Sequence, residues 1–155
     1  MSIAKTVESY LQRYGIIHYT IIHHPRSVSS KQTAEAAHIS PAQIAKAVIL
    51  SDDKGCIMVV VPGDHHVERH RLSQKLGRRL ELANEARIGP AFKDCELGAI
   101  PPIGPAYGME TIVDDSLVGQ KKVYFVGGDH DELVCVDGEE FLYMLKQAQH
   151  GTFSH

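Results

Sequence analysis

Residues 45–63 read AKAVILSDDKGCIMVVVPG, two apolar runs separated by a short polar segment. The runs AKAVIL and CIMVVVPG are rich in branched aliphatic residues, and the segment SDDKG between them has the composition of a hairpin turn. Apolar residues follow one another in both runs without alternating with polar ones, which predicts two strands covered on both faces. The expected centre of the fold is therefore a buried β-hairpin.

Helical and strand patterns alternate on both sides of this hairpin. Helices are predicted over residues 3–14, 31–38, 66–76, 83–93 and 138–149. Ser2 is the expected cap of the first helix, and Asp137 and Glu140 form the expected capping box of the last. Strands are predicted over residues 16–22, 79–83, 121–128 and 131–137. Ser40 and Pro41 mark a capped helical turn ahead of the hairpin. The expected fold class is α/β, a single compact domain with a mixed β-sheet flanked by helices. This domain spans residues 1–149, and residues 150–155 are expected to form a loose C-terminal tail.

Composition excludes several classes of protein. With 155 residues, 43% apolar and 23% charged, the chain has the size and composition of one globular domain. The N-terminus MSIAKTVESY lacks the basic start and apolar stretch of a secretory signal, which favours a cytoplasmic location and no membrane partner. The three cysteines are widely spaced and form no C-x-x-C pair, so neither a disulfide framework nor a zinc knuckle is indicated.

Positive charge is concentrated in one segment, although the net charge is −3. Residues 65–79 contain five Lys or Arg against one Glu, whereas residues 109–140 contain nine acidic residues against two Lys. A local basic patch on an acidic body suits a partner such as RNA that touches only part of the surface. The predicted phosphate contacts are Arg69, Arg71, Lys75, Arg78 and Arg79; a solvated helical face is the alternative.

The segment GAIPPIG at residues 98–104 is stiff in the middle and permissive at both ends. Because proline has no backbone N–H, the free amides at the far end of this loop are those of Ile103 and Gly104. Two such amides in a rigid loop can form a cradle for a carbonyl oxygen or a developing oxyanion. The alternative interpretation is an ordinary solvent-exposed turn.

Lys46 and several histidines are the remaining side chains with chemical potential. Lys46 lies at the entrance of an apolar strand, where it can bind an anion or a carbonyl, or can simply extend its ammonium into water. His66 and His70 have metal-ligand spacing, but no third ligand is indicated and a solvated face is favoured, so no metal site is predicted. His130 follows the glycine turn GGD and can contact a substrate or relay a proton, or can be incidental to a hairpin.

Taken in chain order, these motifs resemble the YbaK and prolyl-tRNA synthetase editing-domain family, whose members are aminoacyl-tRNA deacylases. The resemblance runs from about residue 3 to residue 147. It implies a compact α/β fold with a mixed sheet and a pocket for the aminoacylated 3′ end of a tRNA. The key lysine of the family matches Lys46, its G-x-x-x-P-x-G loop matches Gly98, Pro102 and Gly104, and its late glycine-rich turn matches 127–130.

The resemblance also implies roles for these residues. Lys46, Gly104 and His130 are the expected catalytic positions, and the expected substrate contacts are Gly98, Ile100, Pro102, Ile103, Gly127 and Gly128. No nucleophile triad is evident, so water is expected to attack the ester, helped by the terminal ribose hydroxyl and without a cofactor.

The resemblance and the residues together suggest tRNA and a synthetase as partners, and leave three functions open. The expected substrate is a tRNA, tRNA-Pro or a similar one, that carries a small amino acid such as Ala, Cys or Ser, and a synthetase is a further candidate partner. Pro101 and residues 105–107 depart from the pattern of some relatives, which leaves the amino acid open. The alternatives are a non-catalytic module of the same fold that binds tRNA or a synthetase, and a metal-dependent hydrolase that uses His65, His66 and His70.

Overall fold

The structure is a computed structural model and describes residues 3–155, so the predicted Ser2 cap lies outside the described residues. The α-helices are α1 (Lys5–Arg13), α2 (Ser30–Ala37), α3 (Arg69–Leu76), α4 (Glu85–Ile88) and α5 (Gly138–Met144). The strands are β1 (Thr20–His23), β2 (Ala45–Asp52), β3 (Gly55–Pro62), β4 (Glu81–Leu82), β5 (Glu110–Asp114), β6 (Lys122–Val126), β7 (Glu132–Asp137) and β8 (Gln149–Gly151).

Strands β2 and β3 form the predicted hairpin, with Asp52 opposite Gly55 at the turn. The carboxylate of Asp52 accepts hydrogen bonds from the amides of Lys54 and Gly55, which closes the turn. Strand β3 then buries alternate side chains on both faces of its sheet. Met58 and Val60 belong to the main core, whereas Ile57, Val59 and Val61 belong to a second core. Two covered faces account for the unbroken apolar run in the sequence.

Two sheets are present. The larger has the order β4-β2-β3-β5-β8, in which β2 is antiparallel to β3 and β4 while β5 is parallel to β3 and to β8. The predicted mixed sheet is thus confirmed. The smaller sheet, β1-β7-β6, is antiparallel throughout. A single parallel bridge between Ile44 and Tyr124 connects the two sheets at the start of β2.

Helices α1 and α5 cover the main core, and α3 covers the second. Leu11 of α1 and Phe141 of α5 are fully buried with Phe125 of β6. Leu72 of α3 packs against the opposite face of the larger sheet. Both capping-box hydrogen bonds predicted for α5 are present, between Asp137 and Glu140. In residues 3–155, no helix has both the length and the apolar composition that a bilayer crossing requires.

The prediction of a loose C-terminal tail is wrong. Strand β8 pairs with β5 in parallel, and beyond it His66 and His155 exchange backbone hydrogen bonds. Phe153 is buried in the second core, and its amide donates to the carboxylate of Asp114. The sequence of this segment gives no strand signal because it is short and has no alternating apolar pattern. The segment is held instead by its backbone pairing with β5 and by the buried ring of Phe153.

Other boundaries differ for local reasons. Helix α3 begins at Arg69 rather than at residue 66, because His66 and Val67 pair with the C-terminal segment instead. The capped turn at Ser40 is a single 3₁₀ turn, in which the Ser40 side chain accepts from the amide of Ala42. Strand β5 was not predicted.

Candidate functional site

A cavity of about 270 Å³ lies where the segment before α2, strand β2 and residues 98–100 meet. One wall carries hydroxyl groups and comes from the start of α2: Ser27, Ser29, Ser30 and Thr33. The opposite wall is apolar and includes Ile44, Ile49, Ile88, Ile100 and Val126. Lys46 and His130 also line the space. The cavity therefore combines a hydroxyl-bearing side, an apolar side and two groups capable of carrying charge.

Lys46 extends from the second residue of β2, and its Nζ donates a hydrogen bond of 3.3 Å to the carbonyl oxygen of Gly63. Burial lowers the pKa of Lys46, and the charge of Asp64 opposes that effect. An ammonium has three donors. A lysine held by one carbonyl at the edge of a cavity thus retains donors for a substrate oxygen.

The position of Gly63 depends on its lack of a side chain. A Cβ there would lie 3.0 Å from the carbonyl oxygen of Pro41 and 3.3 Å from the Cβ of Ile44. The residue also donates from its amide to the carbonyl of Ile44, which ties the end of β3 to the start of β2. Gly63 accepts the hydrogen bond of Lys46, and sequence reasoning did not identify it, although it directly follows the VVVP run.

His130 occupies the turn between β6 and β7 and is held by two chain segments. Its Nε2 lies 2.7 Å from the carbonyl oxygen of Leu97, and its own carbonyl accepts from the amide of Ser27. A carbonyl oxygen can only accept, so Nε2 carries the hydrogen and Nδ1 of the neutral ring is an acceptor. The ring is thereby fixed in one tautomer at the cavity.

Gly98 and Ile100 belong to the same site. Gly98 has φ of +81°, and a Cβ there would lie 3.5 Å from Cε1 of His130. Ile100 contributes to the apolar wall. The first part of the GAIPPIG loop therefore faces the cavity, as predicted.

The second part of the GAIPPIG loop does not face the cavity. The predicted oxyanion cradle at Ile103 and Gly104 is therefore not formed there. Ile103 and Gly104 are buried and do not line the cavity, and neither does the buried Pro102. A Cβ on Gly104 would lie 2.0 Å from Oγ1 of Thr111, so this glycine permits close packing against β5. The two prolines direct the chain into the core instead of presenting its amides to a ligand.

Gly127 and Gly128 lie behind His130 and also do not line the cavity. The carbonyl of Gly127 accepts from the amide of Ala4, and the carbonyl of Gly128 accepts from that of Glu96. A Cβ on Gly127 would meet Ile3 at 2.8 Å. These glycines bind the residues before α1 and the 94–97 segment. They were predicted to contact the substrate, but in the structure they support the turn that holds His130.

The basic residues of the 65–79 segment divide into two groups. Arg78 donates to the Asp52 carboxylate at 2.7 and 2.8 Å and to Glu110 at 3.3 Å, which keeps the pKa of Asp52 well below its usual range. Arg69 donates to the carbonyl of Leu80. Arg71, Lys75 and Arg79 are exposed, with Arg71 near Glu68 and Lys75 over the ring of Phe153. The predicted RNA-binding set is thus reduced to three exposed cations.

A shallow groove on the outer side of β2 connects Lys46 to this basic segment. Lys46, His65, His66 and Arg69 line it together with apolar residues of β2. His65 contacts the Ser154 hydroxyl at 2.8 Å, whereas His66 and His70 are exposed. Within residues 3–155, the one group of three potential metal ligands contains no histidine; it is Asp129, Asp131 and Glu132.

The hydroxyl wall is the largest part of the site that sequence reasoning missed. Ser27 and Thr33 share a buried hydrogen bond of 2.6 Å, and the Ser29 side chain caps α2 by accepting from the amide of Gln32. The run SVSS ahead of a helix was a signal for capping. Its proximity to Lys46 depends on the packing of α2 against the sheet, which no local pattern reveals.

Comparisons with known proteins agree with this architecture. Residues 24–143 match the family described as the aminoacyl-tRNA editing domain. The proline–tRNA ligase of Levilactobacillus brevis is 30% identical over 106 residues, which are 67% of this chain and 18% of the ligase. The ligase of Bacillus cytotoxicus is 28% identical over 94 residues, 60% of this chain and 16% of the ligase. The chain thus spans less than a fifth of these relatives.

Solved structures of similar length share the fold. One, provisionally described as a trans-editing enzyme for prolyl tRNA synthetase, superposes with a TM-score of 0.82 at 22% identity over 99% of both chains. Another, described as a hypothetical protein, gives 0.83 at 22% identity over 97% of this chain and 100% of its own. At such identity these two structures show the fold alone. The match over residues 24–143 shows that the chain belongs to the aminoacyl-tRNA editing domain family.

Proposed function

We propose that this protein hydrolyses the ester of mischarged aminoacyl-tRNA. The observation that carries the proposal is the joint presence of Lys46 and His130 on one small cavity, each fixed by a main-chain carbonyl. Such an arrangement provides a positive charge and a proton acceptor at fixed positions, which are the two elements that ester hydrolysis needs. Membership of the editing family supplies the substrate class.

Water is the proposed nucleophile. Of the cavity hydroxyls, Ser27 is bonded to Thr33 and Ser29 caps α2, so neither is paired with the His130 ring as a nucleophile would be. Water oxygen adds to the ester carbon, and the developing negative charge on the carbonyl oxygen faces the Lys46 ammonium. Nδ1 of His130 accepts the proton of the water. The bond to the ribose oxygen then breaks, that oxygen takes the proton from Nδ1 of His130, and the amino acid leaves as a carboxylic acid, which loses its proton to solvent.

The cavity favours a small amino acid. Its volume of about 270 Å³ is below the range of ordinary drug-sized pockets, and Ile49, Ile88 and Ile100 restrict its apolar side. Size exclusion rejects a larger side chain more strongly than a pocket can discriminate against a smaller one by affinity. Alanine, cysteine or serine is therefore the proposed amino acid, and prolyl-tRNA is proposed to be a poor substrate.

The tRNA body is proposed to approach along the outer groove of β2. Arg69 lines that groove together with Lys46, and Arg71, Lys75 and Arg79 are exposed on the same basic segment. Because the curated relatives are proline–tRNA ligases, tRNA-Pro is the proposed carrier. The proposed location is the cytoplasm, where aminoacyl-tRNA is made and used, and a synthetase remains a proposed partner.

The test is a deacylation panel with tRNA-Pro charged with Ala, Cys, Ser or Pro. We expect at least one small amino acid to be released at least tenfold faster than in buffer, while prolyl-tRNA-Pro remains intact. Binding of all four substrates without hydrolysis of any would instead establish the non-catalytic tRNA-binding module. Hydrolysis is expected to persist after treatment with a chelator, since no step of the mechanism uses a metal.

A further inference from the structure

Three carboxylates converge in the turn between β6 and β7, behind the cavity. Asp129, Asp131 and Glu132 each place one oxygen within 4.8 Å of the others. Asp129 is 1% exposed and Glu132 is 4% exposed, whereas Asp131 is half-buried and opens to solvent. Carboxylates are rarely buried without a cation or a full set of hydrogen bonds.

The oxygens of this group that have no partner are buried, one on each residue. They are Oδ2 of Asp129, Oδ1 of Asp131 and Oε1 of Glu132. The other oxygen of Asp129 is used, because Oδ1 accepts from the amides of Asp131 and Glu132. Asp129 thus points its free oxygen into the cluster, where no donor meets it. An unpartnered buried carboxylate oxygen calls for a ligand that supplies positive charge.

The side chains nearby supply that charge only in part, since the Arg26 guanidinium acts on Asp131 and Asp129 without a hydrogen bond to either. Among residues 3–155, the salt bridge that reaches the cluster is from His23, whose Nδ1 lies 3.5 Å from Oε2 of Glu132 and whose side chain is 76% exposed. The guanidinium of Arg26 is bonded to Glu96 at 2.8 Å instead. Three ionised carboxylates at this place need a further cation.

We propose that Asp129, Asp131 and Glu132 bind a hard divalent cation of the Ca²⁺ class. Ca²⁺ takes oxygen ligands at about 2.3–2.6 Å, so two oxygens on opposite sides of one ion can be about 5 Å apart, which the observed spacing satisfies. Water completes the coordination from the open side at Asp131. The irregular set of three protein ligands suits Ca²⁺ better than Mg²⁺, which requires a near-ideal octahedron.

The position of this cation gives it a structural task. His130 lies between two of the ligands in the chain, and its carbonyl accepts from Ser27. The carbonyl of Asp131 accepts from the amide of His24. A bound cation therefore stabilises the turn that holds His130 and, through it, the segment before α2. The inference rests on the carboxylates alone and is tested without deacylation, so it does not depend on the proposed function.

Thermal unfolding with the metal alone tests the proposal. The protein is freed of metal with EDTA and then titrated with CaCl₂ to 10 mM, with MgCl₂ in parallel and NaCl at equal ionic strength as the control. A site with a dissociation constant of about 0.1–1 mM is expected to raise the thermal midpoint by roughly 3–10 °C at 10 mM CaCl₂, and the shift should grow with the logarithm of the CaCl₂ concentration. Isothermal titration of the wild type with CaCl₂ is expected to give a stoichiometry of one.

Variants assign the effect to the cluster. Glu132→Gln and Asp131→Asn are expected to lose the calcium-dependent shift, whereas Asp53→Asn, which changes an exposed acid in the β2–β3 turn, is expected to retain it. The proposal is overturned if neither CaCl₂ nor MgCl₂ shifts the wild-type midpoint beyond the NaCl control. It is also overturned if both cluster variants fold and show the full wild-type shift, because the cation then binds elsewhere.

Discussion

Lys46 and His130 share one design at the level of single residues. The Nζ of Lys46 is fixed by the carbonyl of Gly63, and Nε2 of His130 by the carbonyl of Leu97. In each case a neutral main-chain acceptor orients the side chain without cancelling its charge or using its last hydrogen-bonding position. A carboxylate partner would have held either group more strongly, but would have neutralised the charge that the proposed reaction uses.

Gly98 offers a test of the His130 assignment. In Gly98→Ala the new methyl would lie 3.5 Å from Cε1 and 3.7 Å from Nε2 of the His130 ring, and would take up cavity space beside that ring. We expect the deacylation rate to fall about tenfold or more. The matched control is Gly119→Ala, which has a similar positive φ of +90° but no atom within 4 Å of the new Cβ. Equal activity in the two variants would contradict a substrate position between Gly98 and the His130 ring.

The sequence predicted some residues of the site and not others, and the difference depends on where each residue lies in the chain. Lys46 and His130 were identifiable because polar residues that flank apolar strands stand out. The roles of Ile103 and Gly104 were wrong because a stiff loop indicates rigidity but not direction, and β5, which receives the loop, was not predicted. The hydroxyl wall and Gly63 become visible only when distant segments are brought together.

At the level of elements, the contact between the GAIPPIG loop and β5 replaces the predicted cradle. Gly104→Ala places a Cβ 2.0 Å from Oγ1 of Thr111 and 3.1 Å from the carbonyl of Met109, so one of the two elements must move. We expect a loss of about 1–3 kcal/mol in the free energy of unfolding, the usual cost of overpacking. Urea unfolding measures it, with Gly89→Ala, where no atom lies within 4 Å of the Cβ, as the control.

A double variant shows whether that collision is the cause. In a Thr111→Ala background the hydroxyl is absent, so the additional cost of Gly104→Ala should fall. If Gly104→Ala is as stable as Gly89→Ala in the original background, the loop does not pack against β5 as described.

The pair between Asp52 and Arg78 connects the β2–β3 turn to the chain after α3. Hydrogen bonds from the Arg78 guanidinium lower the pKa of Asp52, so the pair stabilises the fold fully above the unfolded carboxyl pKa, near 4, and progressively less as the pH falls below it. We expect Arg78→Gln to be less stable than wild type at pH 7, with a smaller difference at pH 2.5. Urea unfolding at both pH values checks this; an unchanged difference would contradict it.

At the level of the whole molecule, the structure differs from the prediction in two features: it has a second sheet, and its C-terminal segment is ordered by pairing with β5. The mixed sheet was predictable because its centre, β2–β3, is apolar on both faces. The division into two sheets was not, since strand patterns do not specify which strands pair. Strand β8 is three polar residues long, and its pairing with β5 depends on the distant anchor at Phe153.

The distribution of charge over the molecule predicts how tRNA binds. Arg71 and Arg79 are exposed on the basic segment, so Arg71→Glu together with Arg79→Glu should weaken tRNA binding and reduce the magnitude of the salt slope, log K against log salt, by about two. Lys121→Glu, an exposed lysine outside that segment, is the control. Arg78 is unsuitable for this test because its substitution breaks a structural ion pair. If the affinity for tRNA is unchanged, the acceptor stem binds to another face of the protein.

The most direct test of the account is the single-turnover deacylation of alanyl-tRNA-Pro by wild type and by Lys46→Ala. The Lys46 ammonium faces the cavity with a single main-chain contact, so its loss should leave the thermal midpoint nearly unchanged. The predicted result is a rate at least tenfold lower than wild type, with Lys46→Arg also impaired because a planar guanidinium does not replace a compact ammonium. Lys54→Ala, in the exposed β2–β3 turn, should retain the wild-type rate. A folded Lys46→Ala protein that deacylates at the wild-type rate would contradict the account.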